Sequence, residues 1–455
     1  MDSSLRSLLL PLAAALAVLL SATAAFATVT VTVSTPANNA TVTSPVHVAA
    51  SATTNAAGAV VTGWHIYVDS VDAYGTSGPT SSIDQNIPMN AGDRQVIVRA
   101  WDSTGAFGSQ TLTLHVIQGS SSYQNNIDAT AQWTATSSTA SDGAILYTAD
   151  KIVPYYSNLG AIGLTKTPAY YANVKAWMQW YLNHLNWPDK WGIYGTVYDY
   201  DVAANGAETS TNDADSTDSY AATFLSLAWA YYQTGNATAQ AYVKTLDYQL
   251  DVIGGVLVQT QQADGLTWAK PDYKVKYLMD NCEVYKGLSD LASLYQNAFN
   301  DSTKASYYSA HASQVLQGIE SELWNAAAND YYTDKDEAGG KGTVNWSTWY
   351  PDATSQLFPV LNGVIDPSSS RANQLYYTQL NGAFPNWPTL GFSDSFPWAL
   401  VSDAAALMGD SGRVNTYVTT IQNRYVSQGF PWTWYCAESG WFIRVNNYML
   451  GRRPL

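Results

Sequence analysis

The spacing of apolar and polar positions changes once along the chain. From Thr28 to about Gln118 apolar residues alternate with polar ones, and β-branched residues dominate. Segments of strand length run Thr28–Val33, Val46–Ala50, Val60–Val68, Arg94–Trp101 and Thr111–Ile117. Turn clusters such as Pro36-Ala-Asn-Asn39 and Asn90-Ala-Gly-Asp93 separate them, which predicts an all-β sandwich of about 90 residues over 28–118. Residues 119–125, opening with Gly119-Ser-Ser-Ser122, have the composition of a linker. Beyond them the period becomes 3.6. Tyr220, Phe224, Leu227, Ala228 and Tyr231 share one helical face, and so do Val284, Leu288, Leu291 and Tyr295. Further amphipathic segments lie near 144–157, 169–186, 237–253, 302–325, 369–380, 394–409, 411–427 and 438–450, with a weaker one near 352–364. Residues 126–455 are therefore expected to form an all-α domain of about eleven helices.

Two kinds of connection alternate between these helices. The turns at Gly235-Asn-Ala-Thr238, Asn300-Asp-Ser-Thr303, Asp366–Ser370 and Gly409-Asp-Ser-Gly412 are short, and each joins a helix stop to a residue able to cap the next helix. The connections 187–214, 254–279, 326–350 and 381–393 are long and carry Trp191, Tyr198, Tyr200, Trp268, Trp346, Trp349, Tyr350 and Trp387. Helical hairpins tight at one end and loose at the other imply a ring with one plain rim and one elaborated rim, and long loops in a compact domain usually serve function.

On this rhythm, and on the phrases DSTDSYAATFLSLAWAYYQTGN and GFPWTWYCAESGWFIRVNNYMLG, residues 126–455 resemble the (α/α)6 toroid of the six-hairpin glycosidase superfamily. The first domain, with STPANNATVTSPV and VRAWDSTGAFGSQTLTLHV, resembles bacterial immunoglobulin-like modules. Together these resemblances imply a multidomain carbohydrate-active enzyme in which the first module is a spacer.

The chain's termini and composition narrow the setting. Arg6, the apolar run Leu8–Leu20 and Ala25-Phe26-Ala27 form an export signal cleaved after Ala27. The run is shorter than the roughly 20 residues of a membrane span, so a secreted or periplasmic protein without a span is expected. A net charge of −15 disfavours nucleic acid and anionic membrane surfaces as partners. The 32 Tyr and 17 Trp in a chain only 13% charged favour a carbohydrate partner instead, because ring faces stack on the C–H faces of sugars. Cys282 and Cys436 form either one disulfide or two buried thiols. Neither HExxH nor GxSxG nor a phosphate loop occurs, and neither a metal nor an organic cofactor is expected.

Acids gather where helices follow long loops. Asp213, Asp215 and Asp218 precede and open the helix at Tyr220, Asp280 and Glu283 open the next, Asp352 follows Trp349-Tyr350-Pro351, and Asp394 precedes Phe396-Pro397-Trp398. Glu438 lies among Trp432, Trp434 and Trp441. Glycoside hydrolysis needs one protonated carboxyl and one carboxylate. Asp218 or Asp215 is expected as one member of the pair, Asp218 as base because Asp215 reads as the helix cap. Glu438 or Glu283 is expected as proton donor, with Asp280 beside it. The same acids also have the spacing of ordinary helix caps. Trp191, Tyr198, Tyr200, Trp349, Tyr350, Trp398, Trp432, Trp434, Trp441 and Arg444 are the expected sugar contacts, whereas Trp177, Trp180 and Trp229 fall at core spacing. Two other functions rank lower: a polysaccharide lyase, disfavoured because the barrel's histidines, His184 and His311, fall inside predicted helices and few Lys or Arg stand beside the acids, though Tyr is plentiful, and a non-catalytic glycan-binding protein.

Overall fold

The computed structural model describes residues 28–90, 92–117 and 121–452. The export signal expected over residues 1–27 lies outside the described residues.

The first domain carries eight strands among the described residues: β1 (Val29–Thr35), β2 (Thr41–Thr43), β3 (Val46–Thr54), β4 (Val61–Val68), β5 (Val71–Ser77), β6 (Ser82–Ile87), β7 (Gly92–Asp102) and β8 (Phe107–Ile117). They form one sheet in the order β1-β3-β6 and another in the order β2-β8-β7-β4-β5. The pairings are antiparallel except that of β2 with β8. Alternate residues Val46, Val48, Trp64, Ile66, Val96, Val98, Leu112 and Leu114 point between the sheets and make the core, as period-two alternation requires. The Trp64 indole finds its buried partner in Thr80 O at 2.9 Å. Strands β5 and β6 escape the sequence pattern because both are edge strands of mixed polarity.

The second domain is a ring of helices in two layers. Twelve segments among the described residues build it: α1 (Ser121–Thr136), α2 (Pro154–Leu164), α3 (Tyr171–Asn183), α4 (Thr217–Gln233), α5 (Asp247–Thr260, preceded by the short helix Ala237–Val243), α6 (Leu278–Leu294), α7 (Ser302–Gly318), α8 (Phe358–Leu361), α9 (Ser370–Asn373, continued by Gln374–Leu380), α10 (Ala399–Leu407), α11 (Ser411–Arg424) and α12 (Cys436–Met449). The even-numbered helices touch in the order α2-α4-α6-α8-α10-α12 and back to α2, which closes the inner ring. Glycines allow this closure. A Cβ on Gly163 would stand 2.5 Å from Gly440 Cα, and one on Gly287 would stand 2.7 Å from Ala222 Cα.

The short turns cap as their residues predict. Asp301 Oδ1 accepts the N–H groups of Thr303 and Lys304 at 3.0 Å, and Asn236, Ser369 and Asp410 cap in the same manner. Two boundaries differ from expectation. Helix α1 begins inside the expected linker, so residues 121–125 are helical. The segment 144–157 is mostly loop, and its helix starts only at Pro154, which supplies the fixed φ of a first helical residue. Helix α2 itself, Asn158-Leu-Gly-Ala-Ile-Gly-Leu164, is buried almost all round and so shows no polar face to a periodicity search.

The two domains meet at the plain rim. Gly451 packs so closely on the first domain that a Cβ there would overlap the backbone of Met89, and Ser44 Oγ of the first domain donates to Met449 O at 3.5 Å. Both cysteines are buried free thiols. Among the described residues no helix is long and apolar enough to cross a membrane.

Candidate active site

At the elaborated rim the N-terminal ends of the inner helices bring four acids together. Ser216, not Asp215, caps α4: its hydroxyl accepts the Ser219 N–H at 3.3 Å. This corrects the expectation that Asp215 is the cap, and it leaves the Asp215 side chain exposed. The cap hydroxyl also lies 2.6 Å from Asp218 Oδ1 and 3.1 Å from Asp280 Oδ2, so one side chain bridges α4 and α6. Asp218 is wholly buried. Its Oδ1 accepts Ser219 N–H at 2.9 Å and its Oδ2 accepts the Thr267 hydroxyl at 2.5 Å. Burial pushes this carboxyl up to about 6 against the pull of those hydrogen bonds.

One turn along α6 the same physics is stronger. Glu283 is buried, accepts the Tyr155 hydroxyl at 2.7 Å, and is pushed up to about 8 by desolvation. Asp280 stays half open, yet its carboxyl is held well above the usual carboxylate range, first by burial and then by repulsion from Asp218 and Glu283. Carboxyls this close share protons rather than ionise independently.

Aromatic rings wall this group. Tyr147 packs on Tyr156 at 4.9 Å, on Tyr435 at 5.1 Å and on Trp432 at 5.8 Å, and Phe396 joins Trp432 to Tyr435. On the facing side Tyr350 lies 4.8 Å from Trp398. Tyr156 and Tyr350 both feel the charge of Asp215, and Tyr350 also feels Asp280 and Asp394, so the rings and acids share one cleft. Tyr350 and Trp432 remain 49% and 59% exposed, as a stacking ring must be. Tyr147, Tyr156, Phe396 and Tyr435 were not legible in advance. Their one sequence signal is the Tyr155-Tyr156 pair directly after Val153-Pro154, a helix start beneath a long loop.

Other expected contacts stand elsewhere. Trp349 is buried flat against Phe392 at 4.1 Å, and Trp434 is buried among Tyr425, Phe430 and Phe442 with its indole N–H donated to Ser439 Oγ at 2.7 Å. Tyr198 is buried and its hydroxyl accepts the Lys190 N–H, while Tyr200 packs edge-on to Trp180 and His184. Trp191 is half-buried with Lys190 Nζ 4.4 Å above its ring, although it packs on the same aromatic cluster as Tyr155 and Tyr156. Trp441 and Arg444 lie one and two turns into α12, stacked on each other at 4.0 Å below the acids.

Glu438 is buried, and desolvation pushes its carboxyl up to about 7 against the pull of two backbone hydrogen bonds. Its Oε1 accepts Trp398 N–H at 3.1 Å and its Oε2 accepts Ala399 N–H at 2.6 Å. Trp398 has a left-handed backbone and provides no cap of its own, so a carboxylate from α12 closes the N-terminus of α10. Both oxygens are spent on backbone donors.

No protein-family model and no curated protein matches the chain. Among solved structures, one described as a wild-type glycosidase aligns over 73% of this chain and 98% of its own, with a TM-score of 0.51 and 11% identity. An uncharacterized conserved protein from Thermus thermophilus aligns over 72% and 99%, with a TM-score of 0.50 and 13% identity. A GH76 alpha-mannanase from Bacteroides thetaiotaomicron aligns over 72% and 96%, at a TM-score of 0.48 and 11% identity. The likeness is one of fold alone: the helical domain shares the two-layered ring of paired helices with these structures.

Proposed function

We propose that the protein is an exported glycoside hydrolase in which Asp280 donates the proton to the leaving oxygen and Asp215 serves as the partner carboxylate. The observation that carries this reading is the contrast in environment between two neighbouring acids in one aromatic cleft. Asp280 is held protonated by burial and by Asp218 and Glu283, which suits it to donate a proton near neutral pH. Asp215 is exposed at the same helix start, where a water or an anomeric carbon can reach it. Asp218 and Glu283 are buried hydrogen-bond acceptors that set the protonation of Asp280, and Glu438 is a helix cap. Tyr350, Trp432 and Trp398 offer ring faces to the sugar, and Trp191 flanks them.

The lyase alternative has less support. Every tyrosine at the acids is pushed upward by burial and by neighbouring carboxylates, the wrong direction for a base. The nearby cations Lys190 and Lys270 are both engaged by Asp213, at 3.0 and 3.1 Å, so neither is free to neutralise a uronate. The first domain fits an immunoglobulin-like spacer docked against the plain rim, and the sequence of residues 1–27 fits export.

The reading is tested by incubating the protein lacking residues 1–27 with a panel of neutral polysaccharides. New reducing ends without an unsaturated, ultraviolet-absorbing product are expected, and Asp280→Asn should abolish them. An unsaturated product would favour elimination, and sugar depletion without any product would favour a binding protein.

A further inference from the structure

Of the 17 tryptophans, two are about half exposed or more: Trp432 at the mouth of the cleft, at 59%, and Trp187, at 48%. Trp187 lies in the loop that follows α3, and other open rings surround it. Tyr248, on the first turn of the outer helix α5, is 66% exposed and lies 6.2 Å from Trp187, with the two ring planes 3° from parallel. Tyr194, from the same loop, is 50% exposed and lies 6.3 Å from Trp187. Three adjoining rings left this open form the kind of patch that marks a binding surface.

The rings are not needed to hold the loop. Asp189 Oδ1 accepts the N–H groups of Trp191 and Ile193 at 2.9 and 2.8 Å, and its Oδ2 accepts the Thr196 hydroxyl at 2.9 Å. The Asn186 N–H donates to Thr196 O at 2.8 Å, and the Asn186 carbonyl accepts the Gly195 N–H at 3.0 Å. Gly195, at φ +90°, lies so close to α5 that a Cβ would stand 2.7 Å from Val252 Cγ1. Val252 is one helical turn beyond Tyr248, so this contact sets the loop's rings beside the Tyr248 ring. A rigid backbone therefore presents the three rings outward.

Two further features say what covers them. The carboxylates and lysines within three residues of these rings are engaged elsewhere. Asp189 is spent inside the loop, Lys190 pairs with Asp213 at 3.0 Å, and Asp247 and Asp251 pair with Lys304 at 3.2 and 3.3 Å. An anionic lipid surface or an acidic chain would select unpaired cations here, whereas an uncharged partner needs only ring faces and the polar edges of Trp and Tyr. The loop also carries Trp191, which packs on the cluster containing Tyr155 and Tyr156 at the cleft. Four residues separate Trp187 from Trp191, a span of at most about 14 Å, so aromatic surface continues from the cleft over the rim.

We propose that Trp187, Tyr194 and Tyr248 form a second glycan-binding face, outside the cleft, for an uncharged polysaccharide whose chain runs over Trp191 to the acids. On the reading that the cleft takes a glycan, this face makes the substrate a neutral polymer, since a short sugar held among the acids leaves these rings empty.

The test is affinity electrophoresis of the protein lacking residues 1–27 in native gels containing neutral polysaccharides, with released reducing ends measured on the same samples. Retardation by at least one polymer is expected. Trp187→Ala combined with Tyr248→Ala should weaken it at least tenfold, and Trp187→Phe, which keeps a ring, should weaken it less. Thermal unfolding checks that the variants remain folded. Equal retardation of the parent and the double variant on every polymer overturns the proposal and leaves the rings to a protein partner. No retardation of the parent by any polymer overturns it as well. A parent that is retarded through these rings but releases no reducing ends keeps the face and removes the hydrolase, and reducing ends released with retardation unchanged in the double variant do the reverse.

Discussion

Glu438 on α12 binds the backbone N–H groups of Trp398 and Ala399 at 3.1 and 2.6 Å, so the start of one inner helix is held by a carboxylate from the next. Removing a buried acceptor from two backbone donors costs about 1–3 kcal/mol for each group left unsatisfied. Glu438→Ala is therefore expected to lower stability by about 2–6 kcal/mol, read as a drop in the denaturant midpoint. Glu438→Gln keeps one acceptor and should fall between. If Glu438 acted chemically instead, the Gln variant would lose all turnover while unfolding at the same midpoint as the parent.

Asp280 and Asp215 separate from the other acids by access. Replacing either with Asn should reduce kcat/KM by about 100-fold or more, the range of a lost general acid or base. Stability should hardly move for Asp215→Asn, which touches solvent. It should stay level or rise for Asp280→Asn, because the substitution relieves repulsion from Asp218 and Glu283. Steady-state kinetics and thermal unfolding on the same preparations check both halves.

The ring, its hairpin rhythm and its two unequal rims were legible in the sequence because loop length and capping residues are local properties. Asn236, Asp301 and Asp410 cap the helices that follow them, as their positions predict. The division of labour among the acids was not legible. Asp218 and Asp215 differ by three positions, and their contrast of sealed against open depends on Thr267, which approaches from a different loop. Tryptophans misled for a similar reason. Trp349 and Trp432 both sit beside loops, but Phe392 and Phe384 bury the first, whereas Tyr147 and Phe396 meet the second edge-on and leave most of it open. A loop position marks where a ring starts, and only packing decides whether it ends in the core.

Trp432 stands at the mouth of the cleft with more than half its surface open. Trp432→Ala should raise KM by about tenfold, the effect of losing about 1.4 kcal/mol of ring stacking, with little change in kcat. Thermal unfolding should shift by less than about 1 °C, since surface substitutions stay within about 0.5 kcal/mol. An unchanged KM on every polymer that the protein degrades would remove Trp432 from the sugar path.

Gly440 on α12 faces Leu159 on α2, and a Cβ there would overlap the backbone carbonyl oxygen of Leu159. No rotamer relieves a clash with backbone, so Gly440→Ala must push two inner helices apart. The cost should exceed the roughly 1–3 kcal/mol of ordinary overpacking. Gly255 on α5 has only the flexible end of Gln259 nearby, and Gly255→Ala should be neutral or stabilising through helix propensity. Equal unfolding temperatures for the two variants would refute the close approach of α2 and α12.

Glu283 makes stability depend on pH in a direction opposite to that of a salt-bridged acid. Its folded pKa, about 8, lies above the ordinary value of 4.5, so between those limits the folded state binds the extra proton. Stability is then complete below about 4.5 and declines as pH rises through 8. The span corresponds to a few kcal/mol, on the order of 1.4 kcal/mol for each pH unit in which the proton stays bound only in the folded state. Glu283→Gln, which carries no proton to lose, should flatten this decline and unfold at a higher temperature than the parent at pH 8, whereas at pH 4.5 the parent should match or exceed it. The Tyr155 hydroxyl opposes the shift by favouring the ionised carboxyl, so Tyr155→Phe should steepen the decline. Thermal unfolding from pH 4.5 to pH 9 with all three proteins measures the sign directly, and parallel curves for parent and Glu283→Gln would show that Glu283 ionises as freely in the barrel as in the unfolded chain.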